Sequence, residues 1–409
     1  MSLDLVLKNA FLKNADEPVD IGIADGRIAA LAANLGSDAK AIDAGGCFVS
    51  PGLIETHIHL DKSRILDRCS PSPNRGMDHM KRVSEIKSSF TVEDVYERAG
   101  KTLEGAIANG VTHMRTHVEV DPNVGLTSFE ALQQLAKNYA WAVDLELCAF
   151  AQEGMTNIPE ADANVEECLK RGAKVVGGAP GYDPDGPGQI DRVFELARAY
   201  DVDVDLHLDV GPDPENMNIY QVCQLTEKYG YGGRVAVGHG SRYSCLPSDK
   251  LRDLGKLLAD TGVTITVLPA TDLFVMGRHQ DHSVMRGVAD ANALMHCGAN
   301  CCLSTNNVLN PFTPFGDSSL IRIANLYANI LQRGATEELA ECFEMMTSGP
   351  AKLIGYDEHG VAPGHSADLV VWDAKAPADA VATIATPLYS FKRGRLTCTR
   401  TLPTLHPPA

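Results

Sequence analysis

The chain has 409 residues, of which 44% are hydrophobic and 22% are charged, a balance typical of a globular protein that needs no disulfides for stability. Its 36 basic and 53 acidic residues give a formal net charge of −17, and so acidic a surface argues against a nucleic-acid partner because it repels phosphate backbones. The chain has no run approaching the roughly 20 apolar residues of a membrane span, no signal-peptide pattern and no zinc-finger cysteine spacing, so we expect a cytoplasmic protein with reduced thiols and no membrane partner.

The first 51 residues are typical of a small β-sandwich. Apolar and polar residues alternate in Leu3–Lys8, and two β-rich runs follow at Val19–Ala24 and Ile28–Ala32. Asp25-Gly26 between these runs is a hairpin turn signal. We therefore predict that residues 1–51 form the N-terminal part of a sandwich.

Residues 52–360 alternate short β-rich runs with longer amphipathic stretches. The amphipathic stretches include Val92–Ala108, Phe129–Asn138, Gln189–Ala199 and Lys250–Asp260. Eight strands that alternate with helices predict the α/β class and a parallel (β/α)₈ barrel. The predicted strands are Leu53–Leu60, Val111–Val118, Leu145–Ala151, Val175–Ala179, Val202–Leu208, Val235–Gly238, Thr264–Leu268 and Asn300–Thr305.

The last 49 residues return to short strands, at Leu369–Trp372, Ser390–Phe391 and Leu396. We expect residues 361–409 to rejoin the N-terminal strands and to complete the sandwich, so that both chain ends build one small domain beside the barrel.

The first barrel strand ends in His57-Ile58-His59. Residues i and i+2 of a strand point to the same face, so the two imidazoles converge. The competing interpretation is a pair of hydrogen-bonded core histidines. We favour metal ligation because unpaired imidazoles are costly inside an otherwise apolar strand.

Two further histidines, His207 and His239, end the predicted fifth and sixth strands. Each alone is more typical of a core histidine. Together with the H-x-H pair they place four imidazoles at the carboxyl-end face of the barrel, where active sites of this architecture lie. Such a set predicts one divalent metal ion, zinc or iron, that lowers the pKa of water toward about 7.

The eighth strand is followed by Asn306 and Asn307, where a hydrolytic metal site needs a base. An asparagine carbonyl can ligate a metal but cannot take up a proton from water. We take Asn306 as a fourth metal ligand and Asn307 as a substrate-binding residue. The amides also support a second hypothesis, a degenerate protein that binds a metal or a heterocycle without turnover.

Four smaller candidates lie at other strand ends. Lys62 follows the H-x-H pair and can bind substrate or protonate a departing amine. Asp209, two residues after His207, is expected on the same face as that histidine and can orient it. His117 closes the second strand as a substrate-binding candidate, and Asp272 follows the seventh strand as a further possible substrate contact.

The chain resembles the amidohydrolase superfamily over nearly its whole length. The resemblance includes the H-x-H strand and the late stretch Gly364–Val371. Within the superfamily the chain is most similar to the cytosine deaminase branch, which includes N-isopropylammelide amidohydrolase. That similarity rests on the stretches 57–63, 115–118, 150–154, 307–308 and 314–316.

The resemblance implies a metal-dependent hydrolase of C–N bonds in small nitrogen heterocycles. It implies that His57, His59 and His207 bind the metal and that His239 helps to activate water. The expected partner is a small heterocyclic substrate, and a homo-oligomer is compatible with the sequence. A ring-opening amidase with two metals is less favoured, since the fourth strand offers only Lys174 as a bridging residue.

The resemblance also implies two substrate contacts. Gln152 corresponds to a glutamine that reads the amide edge of the substrate, and Lys62 corresponds to a pocket lysine of the ammelide enzyme. The sequence departs from the branch at two positions: Val210 replaces a proton-shuttling glutamate, and Asn306 replaces the eighth-strand aspartate. The first departure argues against cytosine itself, and the second bears on the mechanism.

Overall fold

The computed structural model describes residues 2–13, 15–36, 38–72, 79–401 and 403–406. Its first five strands lie before the barrel and belong to two different sheets. Four of them form one sheet in the order β3-β2-β1-β4, and the fifth joins a sheet made by the C-terminal strands. These strands are β1 Leu5–Ala10, β2 Val19–Ala24, β3 Arg27–Ala32, β4 Lys40–Asp43 and β5 Phe48–Pro51.

Eight parallel strands then form the barrel, in simple sequence order around the sheet. The barrel closes through a parallel bridge between Ile58 and Asn306, where His59 donates to the carbonyl of Asn306 at 2.9 Å and Asn306 donates to that of His57 at 3.0 Å. The strands are β6 Leu53–Ile58, β7 Val111–Glu119, β8 Asp144–Phe150, β9 Val175–Gly178, β10 Asp203–Leu208, β11 Val235–His239, β12 Val263–Val267 and β13 Cys301–Leu303.

Helices surround these strands and bury their apolar faces against them. The helix that precedes β7 shows why the sequence folds this way: Thr91 caps it by accepting from the Asp94 N–H at 3.2 Å, and Val95 and Leu103 are buried. The helices are α1 His79–Lys87, α2 Val92–Ala108, α3 Thr127–Tyr139, α4 Pro159–Lys170, α5 Gly186–Tyr200, α6 Ile219–Tyr229, α7 Ser248–Thr261, α8 Pro269–Val275, α9 Ala291–Met295, α10 Leu320–Ile330, α11 Thr336–Glu344, α12 Ser348–Leu353 and α13 Pro377–Thr383.

Three strands near the C-terminus complete the second end sheet. They are β14 Leu369–Trp372, β15 Pro387–Lys392 and β16 Arg395–Thr399, and the sheet runs β16-β15-β14-β5. One apolar cluster contains residues of both end sheets, including Leu7 and Ile21 from the first and Val49 and Phe391 from the second. The two sheets therefore pack around a shared core, and the predicted fold class, a (β/α)₈ barrel with a sandwich built from both chain ends, is confirmed.

The predicted elements match the observed ones closely, since all eight barrel strands are present and α2 has the predicted bounds. The four helical stretches named from the sequence correspond to α2, α3, α5 and α7, and the other helices were not named individually. All eleven cysteines, each within the described residues, are free thiols. In the described part of the chain, no helix combines the length and apolar character that a membrane crossing requires.

Ile384 ends α13 in an unusual backbone conformation, and it generates a stability prediction. Its φ of 52° and ψ of 53° are left-handed, a region that penalises a β-branched side chain by about 1–2 kcal/mol, and its side chain is 44% exposed. We expect Ile384→Gly to raise the free energy of unfolding by about 1 kcal/mol relative to Ile384→Ala, which keeps the Cβ atom. Urea unfolding followed by circular dichroism measures both variants, and equal midpoints would contradict the prediction.

Candidate active site

A cavity of about 540 Å³ opens at the carboxyl ends of the barrel strands. Most of the residues predicted from sequence line it, because each stands where its strand gives way to a loop. Those residues are His59, Lys62, Gln152, His207, Asp209, His239, Asn306 and Asn307. His79 of α1, which was assigned no role from sequence, also lines the cavity.

Three imidazoles converge at the floor of this cavity, where His59 and His207 line it and His57 lies directly behind them. The Nε2 atom of His207 lies 3.1 Å from that of His57 and 2.9 Å from that of His59. The Nδ1 atoms of His59 and His207 are buried without a hydrogen-bond partner. Ligand nitrogens at about 2.1 Å from a tetrahedral ion are separated by about 3.4 Å, so this donor set fits a divalent metal ion with little movement.

Burial sets the protonation state of these imidazoles. It lowers the pKa of His57 to about 3 and holds the pKa values of His59 and His207 well below the ordinary value. The neighbouring histidines add to the effect, since a second positive charge nearby is unfavourable. The three rings are therefore neutral at physiological pH, which is the form that offers a lone pair to a metal ion.

A buried carboxylate lies behind the first imidazole. Oδ1 of Asp205 is 3.3 Å from His57 Nδ1 and 3.4 Å from His117 Nε2, and its Oδ2 accepts from Arg115 at 3.4 Å. Gly238 leaves room for the ring: a Cβ atom there would lie 2.5 Å from His57 Cε1. Asp205 thus orients the histidine from the face that points away from the cavity.

His239 has its own carboxylate partner. Its Nδ1 atom lies 2.7 Å from Oδ1 of Asp272, which is fully buried. Because a carboxylate only accepts, Nδ1 carries the proton and Nε2 remains unprotonated in the neutral ring. This tautomer makes His239 a proton acceptor on the wall of the cavity.

Asn306 lies beside the imidazoles with unsatisfied polar atoms. It is fully buried, and its side-chain Oδ1 and Nδ2 atoms both lack a hydrogen-bond partner. Its φ of 59° is left-handed, a conformation that asparagine tolerates better than most residues. Since a buried amide without a partner is unfavourable, these atoms point to a missing metal or substrate contact.

Buried acids contact the ammonium of Lys62 and the backbone of Gln152. The ammonium of Lys62 contacts Glu119 and lies 4.5 Å above the ring of Phe312. The backbone N–H of Gln152 donates to Asp121 at 3.3 Å. Burial alone raises the pKa of Glu119, but the two lysines beside it outweigh this effect and lower that pKa to about 2.

The structure corrects the expected contacts of Asp209. Its carboxylate accepts from the backbone of Asn218 at 2.9 Å and of Ile219 at 3.1 Å, and from the hydroxyl of Tyr243 at 3.1 Å. These bonds fix the start of α6 and do not orient His207. The reason is that Asp209 lies past the strand with a left-handed φ of 52°, so strand alternation no longer applies to it.

The structure also places His117 differently from the expectation. It is fully buried, its ring centroid is 3.8 Å from that of His57, and it is absent from the described lining of the cavity. It lies one layer below the wall, where it contacts Asp205. Asn307 does line the cavity, and its Oδ1 accepts from Asn310 at 2.7 Å.

Sequence reasoning missed the supporting carboxylates. Asp205 stands two residues before His207 and Glu119 two residues after His117, so strand alternation alone indicated that they face the barrel interior. Asp272 was expected to contact substrate, whereas the structure pairs it with His239. No sequence signal singled out Lys87, the last residue of α1, which contacts Glu119.

The amidohydrolase family profile matches residues 48–397 of the chain. The chain is 27% identical over 407 residues to an N-isopropylammelide isopropyl amidohydrolase of Pseudomonas sp. (strain ADP), with 96% of each chain covered. It is 25% identical to a pterin deaminase of Rhizobium rhizogenes, covering 87% of this chain and 82% of that relative. A structure of 5-methylcytosine deaminase from Klebsiella pneumoniae superposes with a TM-score of 0.92 at 28% identity, covering 98% and 99% of the two chains.

Proposed function

We propose that this chain, which belongs to the amidohydrolase family, is a metal-dependent hydrolase that breaks a C–N bond in a small nitrogen heterocycle. The observation that carries the proposal is the convergence of three neutral imidazoles at the floor of a cavity, with His239 beside them. The relatives point to the substrate class, since their names specify an ammelide, a pterin and a cytosine. Water adds to the ring carbon, and ammonia or an amine leaves.

Four residues would hold the metal ion in this proposal. His57, His59 and His207 contribute Nε2 atoms, and Asn306 contributes its amide oxygen, which has no other partner in the structure. A single zinc or iron ion held there supplies Lewis acidity and lowers the pKa of water beside it. All four protein donors are neutral, and Asp205 places a negative charge behind the imidazole of His57.

The proton from the attacking water passes to His239. Its Nε2 is the available acceptor because Asp272 fixes the proton on Nδ1. An amide at position 306 cannot take up that proton, so this histidine takes the part that an eighth-strand carboxylate would otherwise share. His239 then returns the proton to the departing nitrogen.

Two side chains on the cavity wall bind the substrate. Gln152 offers both a donor and an acceptor and can pair with a urea-like edge of the ring. Lys62 offers an ammonium to a ring oxygen or to the leaving nitrogen, and Glu119 holds it in place. Asn307 adds an amide at the same wall, while Asp209 shapes the wall through α6 and His117 supports His57 from below.

Metal content and turnover together test this proposal. We expect about one zinc or iron ion per wild-type chain, and almost none in the double variant His57→Ala/His59→Ala, because two of its nitrogen donors are gone. Elemental analysis measures the ion, and release of ammonia or amine from 5-methylcytosine, pterin and N-isopropylammelide measures turnover. The control is His282→Ala/His296→Ala, two exposed histidines outside the cavity lining. Metal-loaded wild type that turns over none of a broad panel of such heterocycles would overturn the proposal.

A second prediction tests the His239–Asp272 pair. Asp272→Asn preserves the size of this buried side chain but lets the amide donate to Nδ1, so the proton of the ring moves to Nε2 and the base is lost. We expect kcat to fall by about 100- to 10,000-fold while metal content stays at the wild-type level. Steady-state kinetics and elemental analysis on the same preparation measure both. A kcat within a few-fold of wild type would remove His239 from the proton transfer.

Asn306 also favours a second candidate function, a protein that binds the metal or a heterocycle without turnover. Asn306→Asp separates the two. If the amide is part of a working site, the carboxylate competes with His239 for the proton, and we expect kcat to fall by about tenfold, equivalent to about 1.4 kcal/mol of barrier. Turnover that appears only in the aspartate variant would instead establish the binding protein.

A further inference from the structure

Lys87 is a buried lysine that does not line the cavity. It contacts acids that hold two of the residues that do, Lys62 and Gln152. It ends α1, its side chain is 2% exposed, and it contacts three carboxylates. Its Nζ lies 2.5 Å from Glu119 Oε2, 3.0 Å from Asp121 Oδ2 and 3.0 Å from Glu153 Oε1. A single ammonium that contacts three acids is costly to remove, because all three then lose a counter-ion in a largely buried setting.

The contacts of Lys87 form a network with two branches, and the first branch leads through Glu119 to Lys62 on the cavity wall. Glu119 bridges the two lysines, because its Oε2 atom contacts Lys87 and its Oε1 atom contacts Lys62. Both lysines and the glutamate are buried to the same extent, so water does not screen the three charges. The position of the Lys62 ammonium thus depends on a carboxylate that Lys87 holds in place.

The second branch leads through Asp121 to the backbone of Gln152 on the cavity wall. The carboxylate of Asp121 accepts the backbone N–H of Gln152 at 3.3 Å and that of Glu153 at 2.9 Å. The carboxylate of Glu153 also contacts Lys87, and it accepts a hydrogen bond from the Ser84 hydroxyl of α1 at 2.8 Å. The loop that presents Gln152 is therefore fixed to the same ammonium as Lys62.

We propose that Lys87 is a positioning residue, which sets the ammonium of Lys62 and the amide of Gln152 at the spacing that one substrate ring requires. The inference rests on the proposed function, since it assigns Lys62 and Gln152 to substrate. The charge balance supports it, because three acids, Glu119, Asp121 and Glu153, lie around the one ammonium of Lys87. Without Lys87 the acids repel one another, so that neither Glu119 nor the loop that carries Gln152 is held in position.

The test compares three full-length variants loaded with metal: Lys87→Met, Lys87→Arg and Lys392→Met. Lys392 is the matched control, a buried lysine that bridges Asp144 and Asp368 at the amino-terminal end of the barrel. Two readouts are used. The first is the rate at which acetic anhydride acetylates Lys62, followed by mass spectrometry, and the second is kcat and KM for a heterocycle that the wild type hydrolyses.

For Lys87→Met we expect the rate of Lys62 acetylation to change several-fold, KM to rise, and kcat/KM to fall by about 10- to 100-fold, with metal content unchanged. Lys87→Arg keeps the charge but not the compact ammonium, so it shows a smaller change in the same direction and serves if Lys87→Met does not fold. Lys392→Met leaves both readouts at the wild-type level.

Unchanged acetylation of Lys62 in the Lys87 variants would overturn the positioning role. So would a loss of kcat/KM in Lys392→Met equal to that in Lys87→Met, because the effect would then be general destabilisation. If the wild type hydrolyses none of the compounds, the proposed function fails, and the acetylation rates still decide whether Lys87 positions Lys62.

Discussion

The site depends on the closure of the barrel between its first and last strands. Backbone bonds between His59 and Asn306, and between Asn306 and His57, join the two ends of the sheet at the level where the imidazoles lie. The same bonds place His57 and His59 beside Asn306, so the contacts that close the barrel also assemble the site. Gly238 on a strand across the barrel completes the arrangement, because any side chain there would collide with the ring of His57. A barrel that closed in another register would bury the imidazoles without bringing their Nε2 atoms together.

Charge in this molecule is arranged in layers. The floor of the cavity is neutral, since burial deprotonates the three imidazoles and position 306 carries an amide. The acids lie one layer behind: Asp205 contacts His57, and Asp272 contacts His239. Buried carboxylates are tolerated there because each contacts an imidazole, and Asp205 also pairs with Arg115. This placement leaves the carboxylates to orient rings, and under the proposed function it concentrates proton uptake on the Nε2 atom of His239.

The sequence predicted the barrel well because its signals are local. Apolar runs bounded by loops mark all eight strands, and histidines at strand ends marked the floor of the cavity. Strand alternation also indicated which side chains face inward, but it does not give depth, so His117 was expected at the wall and lies below it. Alternation fails where the chain leaves the strand, as at Asp209. The Lys87 network was beyond prediction, since Lys87 and Glu153 alone are 66 residues apart and meet only through tertiary packing.

The position of α1 explains why the Lys87 network extends so far from the three imidazoles. This helix precedes α2 and contributes His79 to the cavity wall, so its placement affects the shape of the site. Its apolar contact is small, with Val83 as its one fully buried aliphatic residue among the described ones, and burial of a single side chain contributes only about 1.5–3 kcal/mol. The ion pairs of Lys87 add a directional attachment that apolar packing does not provide. Because that attachment passes through the acids that hold Lys62 and Gln152, any shift of α1 is transmitted to both substrate-facing side chains.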